Sequence, residues 1–145
     1  MNKSFLAKAV IGSLLLFGLA GFFIACEHEL PNAQLPPPPS GLRANLSSIQ
    51  TNIFTPKCSN QGCHIGPGGG PMSLKAGDSF GSLVGRNSAY GRPRVAAGIA
   101  NNSTLYLKVI GDNSVGSRMP LVGGFLSQAE TDSIKAWINR GAQNN

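Results

Sequence analysis

Apolar residues in this chain form one continuous run near the start and several short clusters further on. The run, Ala9 to Ala25, is broken only by small or weakly polar residues such as Gly12, Gly18 and Gly21, and it follows Lys3 and Lys8. A positive start and then an apolar stretch is the layout of an export signal, so residues 1–25 are read as a leader and not as core. Downstream, Ile49 and Ile53 share one face of a short helix. Ser47 and Gln50 supply a capping box for it, and Pro56 predicts its end. Asp78 to Val84 suits a second short helix. Leu105, Tyr106 and Val109 mark a third, over Thr104 to Ile110, with Asn102 or Ser103 as its cap and Gly111 as its stop. The clearest periodicity is C-terminal. Ser127 and Glu130 form a capping box, Ile134, Trp137, Ile138 and Gly141 lie on one face, and Lys135 and Arg140 suit the negative end. Val95 to Gly98 reads as extended chain or loop. The pattern predicts a mainly α domain with long Gly/Pro-rich loops over residues 41–145.

Composition changes this picture in one respect. The chain holds 19 glycines and ten prolines, and a domain this rich in loops has difficulty assembling a sufficient apolar core by itself. It reads as a domain folded around something. Residues 26–40 are different in kind. Pro31 and the run Pro36 to Pro39 favour extended polyproline geometry, so Glu27 to Ser40 form a tether that reaches roughly 40 Å, at about 3 Å per residue. His28 lies in that tether and is read as a stray side chain. Phe23-Ile24-Ala25-Cys26 resembles a bacterial lipoprotein box, in which the leader is cut before the cysteine and its thiol takes a lipid. The expected location is therefore outside the cytoplasm, lipid-anchored through Cys26 to a bacterial membrane and facing the periplasm or the cell surface.

Export also organises the cysteines. Three thiols would leave one unmatched, but lipidation of Cys26 leaves Cys58 and Cys63 as a pair. In an oxidising compartment that pair is bound to haem, disulfide-linked or bound to metal. Net charge is +6, and +4 once Lys3 and Lys8 have gone with the leader. No run of Lys or Arg exists, which argues against a nucleic-acid partner. Arg86, Arg92 and Arg94 form the one local basic cluster.

Cys58-Ser-Asn-Gln-Gly-Cys63-His64 carries the candidate chemistry. Two thiols followed at once by an imidazole are how haem c is attached covalently: two thioether anchors and one axial ligand. The usual spacing is C-x-x-C-H. Here four residues separate the thiols, so two extra residues must bulge outward. Met119, 55 residues after His64, offers a thioether for the other face of the iron, and Met/His ligation is the arrangement of electron-carrying cytochromes. Met72 competes for that place, but only eight residues beyond His64 it should emerge on the histidine's own side. Gly66-Pro67-Gly68-Gly69-Gly70-Pro71 lacks the Gly-Lys-Ser/Thr of a phosphate loop. Its glycines either let backbone approach a cofactor or form a flexible turn, and Pro67 or Pro71 can offer a carbonyl to the free N–H of His64. The arginine cluster is either a solvated loop or a contact for haem propionates or an acidic partner.

The order of these features resembles small bacterial exported cytochrome c domains, the planctomycete-type cytochrome c domains found in lipoproteins. The resemblance runs from Leu46 to Ala142. It rests on Cys58…Cys63-His64-x-Gly66, Leu83-Val84-Gly85, Asn102-Ser103-Thr104-Leu105-Tyr106, Arg118-Met119-Pro120 and Trp137-Ile138-x-x-Gly141-Ala142. It implies a class I cytochrome c-like single domain built around one haem c per chain. Cys58 and Cys63 would be the anchors, and His64 and Met119 the ligands to the metal. The activity implied is electron transfer between redox partner proteins, not enzymatic catalysis. Two other readings stay open: a structural Cys58–Cys63 disulfide in a haem-free lipoprotein, and a haem protein with an open distal site. Zinc at Cys58, Cys63 and His64 lacks an evident fourth ligand.

Overall fold

Asn45 starts the first helix. Its backbone is extended and its side chain accepts from the Ser48 N–H at 2.9 Å, so α1 (Leu46–Ile49) opens on an asparagine cap. The computed structural model describes residues 41–60, 62–67 and 69–145. The leader (1–25), the tether (26–40), Cys26 and His28 lie outside the described residues. The expected box between Ser47 and Gln50 does not form, because Asn45 has taken the end of the helix. Gln50 turns inward instead, donating to the Leu74 carbonyl at 2.9 Å and accepting from the Ser79 hydroxyl at 2.6 Å.

Nor does the helix stop before Pro56. It continues as a π-helical segment, Gln50–Ser59, with the proline inside it. A π turn is wider than an α turn, so the carbonyls of the preceding turn move off the position where a proline ring would strike them. Ile49, Ile53 and Phe54 are fully buried along this helix, and each contributes roughly 1.5–3 kcal/mol of apolar burial.

The rest is helical punctuation in long loops. The short α2 (Ser79–Leu83) and α3 (Thr104–Ile110) stand where the apolar clusters predict them. Gly111 ends α3 with a left-handed φ of 82°. Ser103 occupies the cap position of α3, but its hydroxyl does not cap. It accepts from the Ala96 N–H at 2.8 Å and donates to the Ile99 carbonyl at 3.0 Å, pinning the preceding loop. The longest helix, α4 (Gln128–Asn139), carries the complete Ser127–Glu130 box. Ile134, Trp137 and Ile138 are buried as its pattern predicts. Gly141 is exposed and turns the chain, and Ala142 takes the buried place. Trp137 donates its indole N–H to the Gln143 carbonyl at 2.8 Å and belongs to the core. Among the described residues, β pairing is limited to isolated bridges, Ile65 with Ser73, Val84 with Val95 and Asn87 with Pro93.

Two ties draw α4 onto the first helix. Lys57 and Glu130 form an ion pair at 2.6 Å. At the other end, Asn145 accepts from the Leu46 N–H through its side chain at 3.0 Å and from the Ser47 N–H through its backbone carbonyl at 2.8 Å. The core lies between these helices and α3, and contains Leu42, Leu46, Leu83, Leu105, Ile134 and Trp137. The fold is mainly helical, and no helix among the described residues is long and apolar enough to cross a membrane.

Candidate functional site

The wide spacing between the thiols is built by the end of the π segment. Cys58 sits near its last turn, half-buried against the core. The chain then reverses at Gly62, whose φ is 75°, and the His64 N–H returns to the Cys58 carbonyl at 3.1 Å. The two residues beyond the ordinary spacing are thus taken up in a backbone-closed loop, and Cys63 stands exposed on it.

The glycine-rich segment folds back over the histidine. The Gly70 N–H donates to the Cys63 carbonyl, the Leu74 N–H donates to the His64 carbonyl at 2.7 Å, and Ile65 bridges Ser73. A Cβ at Gly70 would lie 2.6 Å from His64 Nδ1 and 2.9 Å from the Cys63 carbonyl oxygen. These glycines therefore permit a close approach of backbone to imidazole, more than a loose turn requires. The carbonyl expected to receive the imidazole N–H does not do so. Pro71 gives its carbonyl to Arg94 Nη2 at 3.1 Å, and His64 Nδ1 is the buried side-chain polar atom without a hydrogen-bond partner among the described residues. Burial holds the imidazole below its ordinary pKa of 6.5, which favours the neutral form that ligates metals.

Met119 comes from the other side of the sequence. Its N–H donates to the Lys108 carbonyl at 2.9 Å, so the last turn of α3 carries it; the Met119-Pro120 peptide is cis, and Pro120 is buried. Cys58, Cys63, His64 and Met119 line a single cavity of about 650 Å³, within the roughly 300–1,000 Å³ of pockets that hold small ligands and cofactors. Leu74, Leu83, Leu105 and Val109 supply apolar wall. Lys57, Arg94 and Lys108 supply positive charge, and among the described residues no carboxylate lines the cavity. Met72 lines it too, next to the Ser73–Ile65 bridge that runs beside His64. Trp137 does not line it. Of the arginine cluster, Arg94 reaches the wall, with Nη1 donating to the Ser82 carbonyl at 2.8 Å, whereas Arg86 donates to the Gly81 carbonyl. Tyr90, Ser88 and Lys108 belong to no sequence motif, yet a loop and α3 bring them to the same cavity, where the Thr104 hydroxyl donates to that of Ser88 at 2.8 Å.

The electrostatics disfavour a thiolate here. Burial pushes the Cys58 thiol up from 9.0 to about 12. Lys57 opposes that rise, and Glu130 and Cys63 add to it. Glu130 itself is held below 4.5. Burial, the largest influence, would raise it, but the hydrogen bond from Lys57, the bonds from Ser127 and the Lys57 charge together outweigh burial. Among the described residues no three His, Cys, Asp or Glu side chains could hold a metal ion by themselves. No protein-family model, curated protein or solved structure matches the chain.

These observations fit a haem on the chemistry of the donors. Two thiols, a neutral imidazole and a thioether line one largely apolar space, and the backbone at Gly70 passes close against one side of the imidazole.

Proposed function

We propose that the chain is a monohaem c-type cytochrome carrying electrons between redox partner proteins, held to a bacterial membrane surface by lipid on Cys26. The observation that carries this reading is the convergence of Cys58, Cys63, His64 and Met119 on one cavity from segments 55 residues apart. A haem, when bound, supplies a one-electron ferric/ferrous couple, and Met/His ligation with burial sets its potential high. The chain does the rest. Cys58 and Cys63 hold the group covalently. His64 is neutral and wedged by Gly70, and the end of α3 carries Met119, so both ligands stay in place as charge changes. Leu74, Leu83, Leu105 and Val109 exclude water from between them. Arg94, Lys108 and Lys57 provide the positive wall that suits the two carboxylates of a haem.

The test is spectroscopic. Full-length chain produced in a host with haem-attachment machinery should show Soret absorption and a mass increase that survives denaturation, and Cys58→Ser or Cys63→Ser should weaken that attachment. Colourless protein that loses the mass of two hydrogens on oxidation would replace this reading with the disulfide-closed lipoprotein.

A further inference from the structure

Three consecutive residues around Met119 are fastened to the C-terminal end of α3. The Ser117 carbonyl accepts from Lys108 Nζ at 3.3 Å, Arg118 Nε donates to the Val109 carbonyl at 2.9 Å, and the Met119 N–H donates to the Lys108 carbonyl at 2.9 Å. Of the three, Arg118 does more than anchor its own position. Its guanidinium lies 4.3 Å from the centre of the Phe125 ring. Its aliphatic stem fills the space over Gly111, where a Cβ would come within 2.8 Å of Arg118 Cδ. A cation at this place also answers the partial negative charge at the end of the helix.

The return arm of the Met119 loop has little else to hold it. Among the described residues, no hydrogen bond involves residues 121–125, and Leu121, Val122 and Phe125 are 67, 55 and 59% exposed. Arg118 joins the incoming arm, through its bond to α3, to the outgoing arm, through Phe125. Lysine 108 and the backbone bond of Met119 act only on the incoming side.

We propose that Arg118 is a positioning residue for Met119: by clamping both arms of its loop onto α3, it keeps the thioether in place as an axial ligand. This rests on the reading of Met119 as a haem ligand, and the experiment separates the two. Carbon monoxide binding to the reduced, haem-loaded full chain reports how often the thioether leaves the metal. Wild type should bind slowly and Met119→Ala fast. Arg118→Gln, which loses a charged hydrogen bond and the stack, should bind about ten- to a hundredfold faster than wild type, and Arg118→Lys should recover part of the difference. Asn45→Ala, which weakens the fold at the cap of α1 and away from this loop, should leave the rate unchanged. An Arg118→Gln rate equal to wild type, with Met119→Ala fast, overturns the positioning role alone, and so does an equal acceleration by Asn45→Ala. Wild type binding as fast as Met119→Ala overturns both the ligand reading and the role built on it. Should Arg118→Gln fail to load haem, Phe125→Leu removes only the stack. It should bind about three- to tenfold faster than wild type, and no acceleration would overturn the proposal.

Discussion

Glycine 70 lies so close to histidine 64 that no side chain fits at position 70. Alanine at 70 would place its methyl 2.6 Å from Nδ1 and 2.9 Å from the Cys63 carbonyl, which is backbone and cannot step aside. Gly70→Ala should destabilise the chain by about 1–3 kcal/mol and lower haem loading, both measurable in one preparation by urea titration and absorption. The imidazole was legible as a candidate ligand from its place after Cys63. Its wedge was not, because a glycine-rich string allows several loop paths and contains no sign of which glycine will meet the ring. Titration at the neighbouring thiol follows from burial as well. Cys58 ionises near 9.0 when unfolded and near 12 in the fold, so the folded state keeps its proton longer. Stability of the unloaded chain should therefore decline as pH rises from 9 towards 12, and a Cys58→Ser variant should lose that decline in alkaline unfolding curves.

At the level of elements, the first and last helices depend on each other through Glu130, which serves both as the third residue of the α4 capping box and as the partner of Lys57. Ser127→Ala removes one half of the box and should cost about 1 kcal/mol. Glu130→Ala removes the box and the ion pair together and should cost more in the same unfolding assay. Glu130 has a folded pKa below its ordinary 4.5, so its contribution is present in full above that value and fades as pH falls through the lowered one. The capping box was readable in the sequence because Ser and Glu stand three apart before an apolar face. The π winding of Gln50–Ser59 was not. Pro56 normally ends an α-helix, and only tertiary packing of Ile53 and Phe54 makes the wider turn worth keeping.

At the largest scale, the described residues form a small set of helices bordering a cavity of about 650 Å³. The glycine and proline content predicts a domain short of apolar core, yet the described residues bury one continuous cluster reaching from Leu42 to Ala142. The four candidate donors were named from motif and spacing, and Arg94 from its cluster, whereas Lys57 and Lys108 reach the cavity from the π segment and α3 as isolated lysines that no motif marks. If the space is filled by an attached haem, loading should raise Tm by at least about 10 °C, given that each kcal/mol moves a domain of this size by roughly 4–8 °C. Differential scanning calorimetry of loaded and unloaded chain compares them directly, and equal transitions would argue that nothing is built into the cavity.

The bonds from Leu46 and Ser47 to Asn145 tie the two ends of the described segment to each other. The opening N–H groups of α1 find their acceptors on a residue 99 positions beyond Leu46, so removing Asn145 would hand those donors to water and loosen the helix that leads to Cys58.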